Sequence, residues 1–354
     1  VDTAAPMTGT VLDGTDSDID WTNSTSILTA TWGGFSDALS GIEKYEYAIG
    51  TTSGGTDVVD WTDNSTDTTI TNTGLTLTNG TAYYISVRST DNVGNVSTVV
   101  STDGITVDTD APVISSVIEG SLTADIDYQN SDTTLIIVWT GSDAASGIAQ
   151  YEYALGSASG EANTVTWTSA GLDTFTTLTG INLTEGTTYY ASARATDVAE
   201  NLSAVASGDG ITIDLTAPVA GTVLDGTGED ITYTGSDTTL SANWSGFSDA
   251  VSGIEGYEVA IGTSSGGTDM VDWTWVGDVN SWTKTGLDLD HAVSYYISVR
   301  AKDFADNIST ISSTNGVIVD TEPPNSIVDI QADYFNSAGW DSVNQIQGTA
   351  IDSN

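Results

Sequence analysis

The stretch Thr73-Gly74-Leu75-Thr76-Leu77-Thr78-Asn79-Gly80-Thr81-Ala82-Tyr83-Tyr84 runs on into Ile85-Ser86-Val87-Arg88-Ser89. From Tyr83 onward apolar and polar side chains alternate. One set faces a core and the other faces water, as in a half-buried β-strand. The same stretch returns at residues 179–190 and 285–296, with His291-Ala292 standing for the Gly-Thr in the third copy. Its spacing extends over the chain. Ser40-Gly41-Ile42 recurs as Ser146-Gly147-Ile148 and Ser252-Gly253-Ile254, and Pro6 as Pro112, Pro218 and Pro324. Trp61, Trp167 and Trp273 keep step, as do Arg88, Arg194 and Arg300, each 106 residues from the last. That interval is too long for a solenoid unit that folds only against its neighbours, and it matches a whole domain.

Each repeat reads as short strands separated by Gly, Asp, Asn and Ser clusters. In the first, strands are expected at residues 8–12, 27–32, 42–50, 58–62, 68–72, 82–90 and 97–107. No segment sustains a helical period, and proline is nearly confined to the junctions. The pattern predicts an all-β chain of tandem seven-stranded antiparallel β-sandwiches. The expected domains are residues 1–106, 107–212 and 213–318. Residues 319–354 then open a different module, incomplete because so few residues cannot close a sandwich. Val1 falls where a repeat boundary is expected, so the chain reads as a mature or excised piece of something longer.

The charge narrows the partners. With 49 acidic residues against 6 basic ones, the net charge is −43. Nucleic acid and anionic membrane surfaces are poor partners, because binding them needs Lys or Arg to displace counterions. No apolar run is long enough for membrane insertion. The acidity fits either a solvated surface or carboxylates that converge on a hard cation. There is no cysteine, so the modules must be held by their cores. The supply of Trp, Tyr, Val and Ile argues against disorder.

The turn and tyrosine strand at 73–84 resemble those of fibronectin type III domains. A tryptophan on the second strand (Trp32, Trp139, Trp244) and a tyrosine on the third (Tyr45, Tyr151, Tyr257) fit the same resemblance, which covers residues 1–318. The family hosts many roles, so the likeness implies a fold and little else. Gln345-Ile346-Gln347-Gly348-Thr349-Ala350-Ile351-Asp352 resembles the second strand of an immunoglobulin-like module of bacterial surface proteins.

Some acids recur in every copy. Asp2, Asp108, Asp214 and Asp320 lie at junctions, and Asp37, Asp143 and Asp249 precede the Ser-Gly-Ile turn. Glu46, Glu152 and Glu258 begin the next strand. Asp91, Asp197 and Asp303 end the tyrosine strand, with Asn95, Asn201 and Asn307 four residues on. In such a sandwich the loops after the second and sixth strands share a pole with the domain's N-terminus. Crowded carboxylates repel one another, and calcium is the usual remedy. Turn formation by Asp is the competing explanation. The connection holding Asp13, Asp16, Asp18 and Asp20 thins out in the other copies to Glu119, Asp125 and Asp127, or Asp225, Glu229 and Asp230, and reads as a solvated loop.

Enzyme chemistry finds little support. The one histidine, His291, stands where the other copies carry Gly80 and Gly186, and Gly262-Thr263-Ser264-Ser265-Gly266 is a loop rather than a strand-to-helix nucleophile turn. Trp61, Trp167 and Trp273 are expected to pack on their own sheet. Trp275 and Trp282, present in the third copy only, are the candidates for a glycan-stacking patch. The expected role is a non-catalytic, elongated rod of a microbial surface protein, such as an adhesin stalk, surface layer or filament. Its partners would be other modules of the same protein or neighbouring copies. The alternative is a spacer or carbohydrate-binding accessory region of a large secreted enzyme.

Overall fold

A computed structural model describes residues 1–327 and 349–351, and among these there are strands and turns but no helix. The first copy comprises β1 (Thr10–Asp13), β2 (Trp21–Thr22), β3 (Ile27–Gly33), β4 (Ile42–Gly50), β5 (Val59–Asp63), β6 (Thr69–Thr73), β7 (Ala82–Asp91), β8 (Val100–Ser101) and β9 (Ile105–Val107). The second follows with β10 (Val113–Glu119), β11 (Tyr128–Gln129), β12 (Thr134–Ser142), β13 (Ile148–Gly156), β14 (Val165–Gly171), β15 (Phe175–Thr179), β16 (Thr188–Asp197), β17 (Ala206–Ser207) and β18 (Ile211–Ile213). The third has β19 (Thr222–Asp225), β20 (Tyr233–Thr234), β21 (Thr239–Ser245), β22 (Ile254–Gly262), β23 (Val271–Gly277), β24 (Ser281–Thr285), β25 (Ser294–Asp303), β26 (Ser312–Ser313) and β27 (Val317–Val319).

One topology serves all three. A sheet ordered β1-β3-β6 accompanies a sheet ordered β2-β9-β7-β4-β5, with β8 also on β7; β10-β12-β15 and β19-β21-β24 have the corresponding partners. By compactness the chain forms two units. One gathers Val1–Asp127, Thr133–Leu183 and Thr187–Ile211; the other starts at Thr212 and includes Tyr128–Asp132 and Thr184–Gly186.

Period-two burial explains the packing. Along β7, Tyr83, Ile85 and Val87 are buried, while Arg88 is half-buried on the other face. The register Tyr45↔Ser89, Tyr47↔Val87, Ile49↔Ile85 fixes β4 beside β7. Trp32 meets Tyr45 edge-on at 5.9 Å, and Trp244 meets Tyr257 at 5.4 Å. Trp139 and Tyr151 lie 6.2 Å apart. At the entry to β7 the Thr78 N–H donates to Tyr83 Oη at 2.9 Å, and the Asp290 N–H does the same to Tyr295.

Two features depart from the expected strands. The segment expected at 97–107 divides into β8 and β9 around a corner at Thr102 and Gly104. The acidic connection after β1 contains a strand, β2, which lies parallel to β9 with Trp21 beside Thr106. The chain therefore crosses from one sheet to the other between Asp13 and Trp21. Beyond the third copy, β28 (Asn325–Ile327) pairs antiparallel with β29 (Thr349–Ile351). Residues 345–348 and 352 of the immunoglobulin-like resemblance lie outside the described residues.

Candidate metal centres

The chain entering β1, the loop after β3 and the turn after β7 bring Asp2, Asp37 and Asp91 together. Each has a carboxylate oxygen within 4.8 Å of the other two. Asp108, Asp143 and Asp197 repeat the trio, and so do Asp214, Asp249 and Asp303. Local turn chemistry builds them. Asp37 Oδ1 accepts the N–H groups of Leu39, Ser40 and Gly41, so hydrogen bonding, led by Ser40, holds its pKa below the usual value. Asp91 is buried, which alone would raise its pKa. Bonds from Asn95 Nδ2 and the Asn95 and Val93 N–H groups reverse that effect. For Asp108, burial is likewise outweighed by Ser146 and the Asp110 N–H. Asp303 differs: burial raises its pKa despite Asn307, and the neighbouring Asp214 charge adds to the rise. Asp2 Oδ2 is buried without a partner.

The asparagines join these clusters as hydrogen-bond donors. Asn201 Nδ2 bridges Asp197 and the Asp108 carbonyl at 2.8 Å each, and Asn307 Nδ2 bridges Asp303 and the Asp214 carbonyl at 2.9 Å. The glutamates do not join. Glu46, Glu152 and Glu258 pair with Arg88, Arg194 and Arg300 at 2.9, 2.8 and 2.6 Å. Each guanidinium lies over a tryptophan, Trp61, Trp167 or Trp273, at 4.2–4.4 Å from the ring centre. The expected grouping of Glu46 with the pole fails because cross-strand pairing gives it a cation on the sheet face. These tryptophans pack on their own sheet, as expected. Trp282 is half-buried against the third core, whereas Trp275 is 45% exposed.

His291 ties down the segment after β27. Its counterparts by position and by contact are Asn79 and Glu185, not Gly80 and Gly186. Asn79 Oδ1 accepts the Thr109 N–H, Glu185 accepts that of Leu215, and His291 Nδ1 accepts that of Thr321. Three chemically different side chains thus tie down the segment that follows the last strand of each module.

The acidic connection after β1 is not simply solvated. Asp13 and Glu119 are fully buried and Asp225 is 1% exposed. Burial is the first cause that lifts Asp13 and Glu119 to a pKa of about 7 and Asp225 to about 6. The reason is pleat geometry: in Thr10-Val11-Leu12-Asp13 the inward positions are Val11 and Asp13. That alternation, with the recurrence of an acid at 13, 119 and 225, was the signal available in the sequence. Asp18 and Asp103 lie beside Asp13, and Asp125 and Asp209 lie beside Glu119, again with oxygens within 4.8 Å.

The paired sheet orders, the buried tryptophan on β3, β12 and β21, and the tyrosine hydrogen bond at the entry to β7 and β25 fit one fold. The three sheet pairs have the β-sandwich fold of fibronectin type III domains. No family model matches the chain. Exoglucanase B of Cellulomonas fimi is 30% identical over 358 residues, covering 96% of this chain and 28% of that protein. Endoglucanase B of Cellulomonas fimi is 30% identical over 304 residues, covering 80% of this chain and 25% of that one. Chitinase A1 of Niallia circulans is 34% identical over 171 residues, covering 47% and 22%. The chain therefore spans about a quarter of the length of these curated relatives. Among solved structures, a bacterial ice-binding adhesin has a TM-score of 0.40 at 18% identity, covering 91% of this chain and 100% of that one. The fibronectin(III)-like modules of Clostridium thermocellum CbhA have a TM-score of 0.34 at 16% identity, covering 58% and 94%.

Proposed function

We propose that these modules are a non-catalytic spacer in an extracellular protein, with junctions stiffened by calcium. The observation that supports this best is the repeated junction. Only the residues from Asp108 to Pro112 separate β9 from β10, and the short segment carries a φ-restricting proline. Asn79 ties it from one side, and the Asp108–Asp143–Asp197 trio receives it on the other. Carboxylates already spaced for a common ligand would take calcium through their free oxygens, with backbone carbonyls completing the shell. Strands of nine or ten residues make each module roughly 30 Å long. Small-angle scattering and thermal melts, each run with calcium and with chelator, test the proposal. Expected is an extended particle whose melting temperature rises with calcium, because a ligand bound by the native state alone stabilises it. An unchanged melt would remove calcium from the reading, and a folded-back particle in both conditions would remove the rod.

The names of the relatives favour a second reading of what is spaced. Glucanases and a chitinase act on polymers too large to enter a cell, which also supports an extracellular location. On this reading the modules are an accessory region of a polysaccharide-degrading enzyme. The exposed Trp275 ring is then the candidate glycan contact. Pull-down on insoluble cellulose and chitin, lost on Trp275→Ala, would support sugar binding; no retention by the parent chain would leave the spacer role alone.

A further inference from the structure

We propose that the corner where each module's chain crosses between its two sheets is a second divalent-cation site of calcium type, formed by Asp13, Asp18 and Asp103 and again by Glu119, Asp125 and Asp209. It is separate from the junction trios and shares no residue with them.

Each corner holds a carboxylate oxygen that lacks what its burial requires. Asp13 Oδ2 accepts the Gly104 N–H at 3.3 Å, but Oδ1 is sealed from water with no hydrogen-bond partner. Glu119 Oε1 accepts the Ala191 N–H at 2.9 Å, while Oε2 is sealed and without a partner. A buried carboxylate oxygen without a donor is costly unless a cation supplies the missing contact. None of the chain's six basic residues forms an ion pair here; those that do form pairs bind acids elsewhere.

Three carboxylate oxygens at most 4.8 Å apart have a common point no more than about 2.8 Å from each, so small side-chain shifts bring them to the 2.3–2.6 Å of calcium–oxygen contacts. Asp18 and Asp103 are exposed, so the site has a buried floor and an open, acidic mouth.

The buried carboxylate persists through coupled exchanges between copies. In the first module the Thr102 hydroxyl accepts the Ile85 N–H, and in the third Thr314 accepts that of Ile297. In the second, Gly208 replaces the threonine and Glu119 replaces the aspartate. Glu119 then accepts the equivalent N–H of Ala191 itself. A Cβ on Gly208 would lie 2.1 Å from Glu119 Oε2, so the two exchanges depend on each other. Through this rearrangement a buried carboxylate survives. The third copy keeps Asp225 and Asp230 but has Asn315 in place of the third acid, and Asn315 donates to Asp230 at 2.9 Å. With one carboxylate fewer, it is the weakest of the three.

The test uses the full chain freed of metal, with calcium alone as the probe. Calorimetry should count one ion fewer after Asp13→Asn and one fewer after Glu119→Gln, with the junction variant Asp91→Asn leaving both of these ions in place. Carboxyl carbon NMR on the unmodified chain provides the reading that does not depend on a variant folding. Millimolar calcium should shift the Asp13 and Glu119 carboxyl signals, and Asp225 less. If those signals do not move in saturating calcium, the corner holds a proton rather than a metal and the proposal is overturned. An ion count unchanged in both folded variants overturns it equally.

Discussion

Gly80 and Gly186 occupy the turn before the tyrosine strand with φ of 75° and 69°, and Ala292 holds the same position at 61°. A Cβ at Gly80 or Gly186 would meet nothing within 4 Å, so the difference is one of backbone conformation alone. The left-handed region costs an L-residue about 1–2 kcal/mol, partly offset by glycine's larger loss of freedom on folding. Ala292→Gly should therefore stabilise the third module by about 0.5–1 kcal/mol, read as a higher urea midpoint with unchanged slope. A neutral or destabilising result would mean that the turn's strain is relieved by contacts of the alanine methyl. The neighbouring His291 shows how a one-residue shift in alignment hides a role. Set against Gly80 it looks like an isolated substitution. Set against Asn79 it becomes one of three acceptors for the same junction N–H.

At the level of elements, β1, β8 and β9 together specify the sheet-crossing corner. Exchanging Glu119→Asp alone should withdraw the acceptor from the Ala191 N–H and cost about 1–3 kcal/mol, the usual penalty for a buried donor left unpaired. Gly208→Thr alone should cost a similar amount, because its new Cβ enters the space of the Glu119 carboxylate. Together they recreate the Asp13–Thr102 arrangement of the first module. The double variant should recover most of the loss, a coupling that a double-mutant cycle measures directly. Additive losses would show that the two positions are independent. The alternating strands β4, β5, β6 and β7 were legible within a residue or so, because period-two burial writes itself into the sequence. The pole trio was legible too, since strand topology fixes which loops meet. Glu46 was misplaced because its partner, Arg88, is a cross-strand neighbour that no local pattern reveals. The buried acid at the end of β1 was hidden by its surroundings: an aspartate among aspartates reads as solvent-facing unless the inward phase of Val11 is carried one step further.

For the whole chain, the distribution of 49 carboxylates sets how stability responds to pH. Asp13, Glu119 and Asp225 have folded pKa values of about 7, 7 and 6, above their ordinary 3.8, 4.5 and 3.8. Between those limits the native state binds more protons than the unfolded chain, so stability falls as pH rises from about 4 to 7. Asp18 and Asp103 face Asp13, and Asp125 and Asp209 face Glu119; after burial, the negative charge of these neighbours is among the causes that raise the two values. Asp37, Asp91, Asp108 and Glu46 oppose the trend, because their pKa values are lowered and their contribution is lost only as pH drops below about 4. In chelator the unfolding free energy from urea titration should therefore peak near pH 4–5 and decline toward pH 7.5, by on the order of a few kcal/mol per module, with the midpoint following it. Asp13→Asn should flatten that decline for the first module, since a neutral amide has no proton to lose. Calcium should flatten it in the unmodified chain if the corner holds a metal. A midpoint that climbs steadily to pH 7.5 in chelator would show that these acids ionise freely, and that the buried corner opens to water in solution.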